Sequence, residues 1–178
     1  MNSFKLPYKF DAKILKNEVS QIAKVDYYDI HNPSVALKTL WSKEFIKPTS
    51  APGEPAIFGP NESLKRCPIL LSIFKTFQCP VETFRFHSLQ PAAVIKSHRD
   101  SGFSFEHGKV RLHIPIQTND AVEIRLEGKL VSMKEGECWY CNFDIVHEVH
   151  NRGKETRVHL IIDCMVNEWL SGIFEDNA

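Results

Sequence analysis

The chain has 178 residues, 43% hydrophobic and 25% charged, which suits one domain with a sizeable core and is short for two. Lysine plus arginine and aspartate plus glutamate balance at 22 each, so no basic excess marks the chain for nucleic acid or an anionic lipid surface. The longest apolar runs, Pro68-Ile69-Leu70-Leu71 and Leu160-Ile161-Ile162, fall far short of a membrane span, and Met1 to Pro7 do not resemble a signal peptide.

Five cysteines, at 67, 79, 138, 141 and 164, form no secreted-scaffold pattern and read as reduced thiols, so the expected location is cytoplasmic. Cys138 and Cys141 have C-x-x-C spacing. On a strand, however, residues three apart point to opposite faces, and no second C-x-x-C exists to complete a zinc site.

Asp11 is placed to cap a helix through about Lys24, with Ile14, Leu15, Val19, Ile22 and Ala23 along its apolar side. Alternation from Val35 to Trp41 predicts a strand. Lys47 to Pro60 holds four prolines and two glycines and reads as a loop, either a surface connection or a lid. A second helical pattern starts at Asn61-Glu62 and carries Ile69, Leu70, Ile73, Phe74 and Phe77. Pro68 either divides it or opens its second piece.

From Val81 the period changes to two, and strands are predicted at 93–97, 109–117, 122–126, 130–134, 137–142, 147–150 and 156–166. Gly128, Gly136 and Gly153 mark turns between them. About eight short strands with close turns suggest an antiparallel jelly roll or barrel with the helices packed outside, closed by a last helical turn in 167–172. The expected organisation is a single domain, 1–178, with a helical part at 1–80 and a jelly-roll core at 81–170.

The chemistry concentrates between residues 98 and 157. His98-Arg99-Asp100 places an imidazole and a carboxylate two apart, hence on one strand face. His147 supplies a second imidazole, in the context His147-Glu148-Val149. Two imidazoles and one carboxylate can hold a ferrous ion on one face and leave the opposite positions open, the facial triad of non-haem iron oxygenases. Arg157 follows ten residues after His147 and offers a planar fork for a carboxylate. Arg111 with His113, and Arg157 with His159, are further same-face pairs. His150 competes with His147 but falls on the opposite strand face, and His31, His87 and His107 read as surface or pocket-rim residues.

These motifs, in this order, resemble the aspartyl/asparaginyl β-hydroxylase family, a branch of the 2-oxoglutarate and Fe(II)-dependent oxygenases. The likeness runs from roughly Val81 to Leu170 and rests on His98-Arg99-Asp100, Arg111-Leu112-His113, the turn Asn142 to Val146 leading into His147-Glu148-Val149, and Arg157. The animal enzymes of the family carry glycine where this chain has Asp100. The full His/Asp/His set is closer to bacterial members and to free-proline hydroxylases.

The resemblance implies a mainly β, double-stranded β-helix (a cupin-like jelly roll) with flanking helices. It also implies a dioxygenase that uses Fe(II), 2-oxoglutarate and O2 to hydroxylate an amino acid, an Asp/Asn-type side chain or a related small metabolite, presented free or in a peptide. His98, Asp100 and His147 would be the metal ligands and the catalytic set, and Arg157 would pair with the far carboxylate of 2-oxoglutarate. Arg111 and His113 would serve the near carboxylate or support the iron ligands. A non-catalytic, cupin-like metal- or ligand-binding module is the alternative, but such a module has no need of an arginine ten residues past its last ligand. Phe103, Phe105, Glu106 and His107, between Gly102 and Gly108, read either as an exposed turn or as a flap over substrate. Neither the substrate nor the oligomeric state is legible.

Overall fold

The computed structural model describes residues 2–20, 22, 28–29, 40–51 and 53–177, with the backbone alone at 28–29 and 40–43. Strand β1 (Ser3–Lys9) leads into helix α1 (Ala12–Ser20), followed by strands β2 (Tyr28–Asp29), β3 (Leu40–Glu44), β4 (Ile46–Pro48) and β5 (Phe58–Pro60). Helices α2 (Glu62–Lys65) and α3 (Pro68–Thr76) come next. The rest is mostly strand: β6 (Val81–Leu89), β7 (Val94–His98), β8 (Lys109–Gln117), β9 (Val122–Leu126), β10 (Lys129–Val131), β11 (Glu137–Cys141), β12 (His147–Asn151) and β13 (Arg157–Met165). Helix α4 (Glu168–Glu175) closes the chain.

Two antiparallel sheets face each other, one ordered β1-β11-β8-β13-β6-β3-β2 and the other β10-β9-β12-β7. Together they form a double-stranded β-helix, in agreement with the strand count read from the sequence. The predicted strand at 109–117 coincides with β8 and that at 122–126 with β9; the others shift by a few residues at their ends.

The larger sheet has two unlike faces because its strands alternate. Phe84, Phe86, Leu112, Ile114, Ile116, Leu160 and Ile162 pack under the helices with Leu15, Leu70 and Ile73. The opposite positions, among them Arg85, Arg111, His113, Arg157, His159 and Asp163, face the smaller sheet. There Ile95, Ile124, Leu126, Val149 and Phe143 make a second, smaller core. The polar face is therefore the inside of the barrel, not the solvent side of a half-exposed sheet.

Local chemistry explains the helices. Asp11 accepts the backbone N–H groups of Lys13 and Ile14 at 2.9 and 3.1 Å, so it caps α1 as expected, although Ile14 itself is largely exposed. Asn61 caps α2, Pro68 sits in the first turn of α3, and Asn167 caps α4. Cys138 lies in the helix-side core and Cys141 in the inner one, and both are unpaired.

Three expectations are revised. The segment 47–60 is not a plain loop, because β4 and β5 pair as an antiparallel ribbon, with Thr49 N–H donating to Ile57 O at 2.7 Å. The part before residue 80 is not only helical: β1 and β3 join the larger sheet, beside β11 and β6. His87 is half-buried on the inner face of β6, where it accepts from Arg85 Nε at 3.0 Å, which drops the surface reading and leaves the pocket-rim one. Most of the strand expected at 35–41, together with His31, lies outside the described residues.

Candidate active site

The ends of two neighbouring strands build the site. β7 ends at His98 and β12 begins at His147, and the antiparallel register sets these two residues opposite each other. Asp100 follows in the loop after β7, and its backbone N–H donates to Phe143 O at 2.9 Å. One ligand atom from each of His98, Asp100 and His147 lies within 4.8 Å of the others.

The two imidazoles are oriented alike. His98 Nδ1 is 2.7 Å from Lys96 O and His147 Nδ1 is 3.0 Å from Ile145 O. A carbonyl can only accept, so each Nδ1 carries a proton. In the neutral ring Nε2 is then a bare donor atom for a metal, and only in protonated His98 does Nε2 carry a second proton and donate to Asp100. His98 Nε2 stands 3.5 Å from Asp100 Oδ1.

Asp100 is held by a charge relay through the barrel wall. Arg111 donates from one terminal nitrogen to Asp100 Oδ2, and its Nε and other terminal nitrogen grip Asp163 at 2.6 and 3.0 Å. All three guanidinium nitrogens are thereby engaged. Burial alone would raise the Asp100 carboxyl, but the hydrogen bond with His98 and the charge of Arg111 outweigh it and hold it at about 2. His98 is raised by its hydrogen bond to Asp100, partly offset by burial, whereas burial lowers His147. The donor set is thus one carboxylate and two Nε2 atoms, a set suited to a first-row divalent metal such as Fe(II).

Farther inside, Arg157 is 1% exposed, and its Nε and one terminal nitrogen have no hydrogen-bond partner in the protein. Burial lowers it to about 10, so it remains charged near neutral pH. His113 stacks on Phe143 with ring centroids 4.9 Å apart, and Phe143 in turn packs edge-on against His147 at 4.7 Å. Burial, with Arg157, Arg111 and His147 nearby, holds His113 well below the ordinary histidine range.

Several residues of this site were not picked out as functional in the sequence. Asp163 shares the inward face of β13 with Arg157, but no functional residue stands two positions from it to set it apart. Phe143, whose ring lies 5.9 Å from the Arg111 guanidinium, carried no spacing signal, and Phe103, at 4.2 Å, was noted only as part of an exposed turn or flap.

The segment 101–108 is tied down instead of hinged. Phe103 O accepts from Phe143 and Asp144 at 3.1 and 3.2 Å, Gly102 N–H donates to Asp144 Oδ1 at 3.0 Å, and Phe105 stacks on Phe174 at 4.2 Å. Gly102 and Gly108 have φ of +85° and +76°, the freedom expected of them, but they are used to fold a wall. His107 caps this wall from outside, close to Ser104 and Asp144. His150 pairs loosely with Glu148 at 3.6 Å and takes no part in the triad.

No curated protein sequence matches the chain. Its fold is shared with a 2OG-Fe(II) oxygenase family oxidoreductase from Burkholderia pseudomallei (TM-score 0.61, 13% identity, 94% of this chain and 88% of that one). It is also shared with a prolyl-4-hydroxylase from Pseudomonas putida (0.54, 15%, 93% and 93%) and the viral collagen prolyl hydroxylase of Paramecium bursaria Chlorella virus-1 (0.56, 9%, 94% and 97%). Residues 11–166 match the Aspartyl/Asparaginyl beta-hydroxylase family, reaching seventy residues ahead of Val81, where the motif-based likeness begins. The chain therefore belongs to the aspartyl/asparaginyl β-hydroxylase family, oxidoreductases of the 2-oxoglutarate/Fe(II) oxygenase class.

Proposed function

We propose that the chain, as a single oxygenase domain spanning 1–178, hydroxylates an amino acid, an Asp/Asn-type side chain or a related small metabolite, with His98, Asp100 and His147 holding Fe(II) and Arg157 gripping 2-oxoglutarate. Bound together, iron, O2 and 2-oxoglutarate supply the oxidising power, the keto acid leaving as succinate and carbon dioxide while one oxygen goes to substrate carbon.

Charge within the barrel supports a dicarboxylate co-substrate. Asp100 offsets one charge of a divalent ion and leaves one. Arg111 and Asp163 offset each other, and Arg85 is offset by Glu44, its cross-strand partner on β3. Arg157 adds a second positive charge with no partner in the protein. Two negative charges would therefore be neutralised in this interior, one at the metal end and one at Arg157. The unpartnered, buried Arg157 is the observation that carries this reading, because a buried guanidinium without an anion is costly.

The chain's own residues then divide the work. Arg111, with all its nitrogens engaged, orients the Asp100 ligand and is not free for a carboxylate. His113 is left as the neutral donor for the near carboxylate, and Phe103 and Phe143 shield the metal end from water. The substrate is a small molecule or a peptide side chain. No described helix is long and apolar enough to cross a membrane. Cys79, Cys138, Cys141 and Cys164 are free thiols, three of them buried, and favour a reducing, cytoplasmic setting.

The test is an anaerobic titration of 2-oxoglutarate into the Fe(II)-loaded protein, following the metal-to-keto-acid charge-transfer band, with succinate measured once O2 is admitted. The band and iron-dependent succinate are expected. Metal binding without either would return the chain to the non-catalytic module reading.

A further inference from the structure

His113 does not stand alone inside the barrel. Its Nδ1 lies 3.3 Å from Nδ1 of His159, and the two rings are perpendicular. His113 is 6% exposed and His159 fully buried, and the Nε2 atom of each has no hydrogen-bond partner in the protein. Two nitrogens at hydrogen-bond distance share one proton, and a neutral imidazole carries one N–H. The pair therefore has two states. If His113 donates from Nδ1, its Nε2 is a bare lone pair and His159 carries Nε2–H. If His159 donates from Nδ1, His113 carries Nε2–H and the bare nitrogen belongs to His159.

We infer that His159 is a positioning residue, which donates its Nδ1 proton to Nδ1 of His113 and so fixes His113 with Nε2–H turned to the anion that Arg157 awaits. This rests on the co-substrate reading above. Burial and the neighbouring Arg157 keep both rings neutral, which excludes the doubly protonated alternative.

One observation chooses between the states. His113 stacks on Phe143, which packs on His147, so it is His113 that borders the metal end where a carboxylate would lie. A lone pair there would repel the anion, while an N–H would make a charge-assisted hydrogen bond.

The inference is tested in protein labelled with ¹⁵N-histidine, where ring-nitrogen shifts separate N–H from bare nitrogen. In the metal-free protein His113 should read as Nε2–H and His159 as Nδ1–H; the reverse assignment overturns the inference. His159→Phe keeps the bulk of the ring and removes the donor, so 2-oxoglutarate affinity of the Fe(II) protein should fall roughly tenfold. His159→Asn, whose Nδ2 takes the place of Nδ1 as a donor, should hold affinity within about threefold on the same scale and keep the His113 signal. Unchanged affinity in His159→Phe, or no recovery in His159→Asn, likewise overturns it. Absence of 2-oxoglutarate binding by the wild-type protein would instead defeat the co-substrate reading, and the tautomer measurement would still decide the role of His159.

Discussion

His147 stands directly opposite His98 across the pairing of β7 with β12, their ring centroids 4.2 Å apart. Strand register thus brings the two imidazoles together, and each is fixed by the carbonyl two residues before it. The pairing becomes irregular just after His147, the kind of break that re-aims a side chain at the rim of a barrel. Only Asp100 depends on a loop, and that loop is pinned to Phe143 and braced by Arg111. The protein's own contacts thus bring the three ligand atoms together.

A ligand set that converges only in the folded chain predicts that metal stabilises the fold measurably. A divalent ion at a hundred times its dissociation constant should add about 2.7 kcal/mol, seen as a rise in Tm. His98→Ala and His147→Ala should lose that rise along with iron-dependent turnover, while their metal-free Tm changes far less. Full turnover in His147→Ala would sink the ligand assignment.

Asp163 touches no ligand atom, yet it fixes the guanidinium that fixes Asp100. Asp163→Asn keeps the shape and removes the charge from the Arg111 clamp. Metal affinity should fall on the order of tenfold to a hundredfold, as for other groups that orient a ligand. Titration with Co(II), read by its visible absorption, measures this. An unchanged Co(II) affinity would mean that Asp100 is held well enough by the backbone of its own loop.

Why one relay partner was legible in the sequence and the other was not has a physical reason. His98, Asp100, His147 and Arg157 announce themselves by spacing, because strands convert a two-residue interval into a shared face. Asp163 follows the same rule, but a lone aspartate at a strand's far end has no spacing partner to set it apart. The outward and inward faces of β8 and β13 were legible as aliphatic against polar. Which face is inside was not, since only the closing of two sheets decides that a row of arginine and histidine becomes interior. Ser3–Lys9 escaped notice for a related cause: its place beside β11 depends on pairing with residues 128 to 138 positions away, such as Phe4 with Tyr140. The 101–108 segment was open to two readings, an exposed turn or a flap, because permissive glycines serve a folded wall as well as a moving flap.

The Asp100 carboxyl predicts a pH dependence of stability in the metal-free protein. Its folded value, about 2, lies below the ordinary 3.8, so ionised Asp100 stabilises the fold above pH 4. That contribution is lost as pH falls from about 4 toward 2. It amounts to about 2 kcal/mol at most, since Asp100 retains some contact with solvent. Denaturant midpoints for the wild type and Asp100→Asn should differ most at pH 5 and converge toward pH 2. A difference that stays constant across that range would show that the Asp100 charge is not what Arg111 and His98 stabilise.

Arg157 should make stability and function move in opposite directions. In the metal-free protein it is a buried charge without a partner, and replacing such a charge by an apolar residue of similar length relieves a desolvation cost. Arg157→Met should therefore stabilise the metal-free fold by roughly 1–3 kcal/mol, read from the denaturant midpoint. The same change removes the far-carboxylate partner of 2-oxoglutarate and leaves that carboxylate buried alone. A loss of roughly 3–5 kcal/mol is expected for that arrangement, a hundredfold or more in affinity. Metal affinity should change little, because Arg157 is not a ligand. Arg157→Lys should recover only part of the 2-oxoglutarate binding, since an ammonium keeps the charge and cannot form a two-pronged contact. The anaerobic charge-transfer titration measures the binding term for each variant. If Arg157→Met binds 2-oxoglutarate as tightly as the wild type, the unpartnered guanidinium serves some other anion and the co-substrate assignment fails.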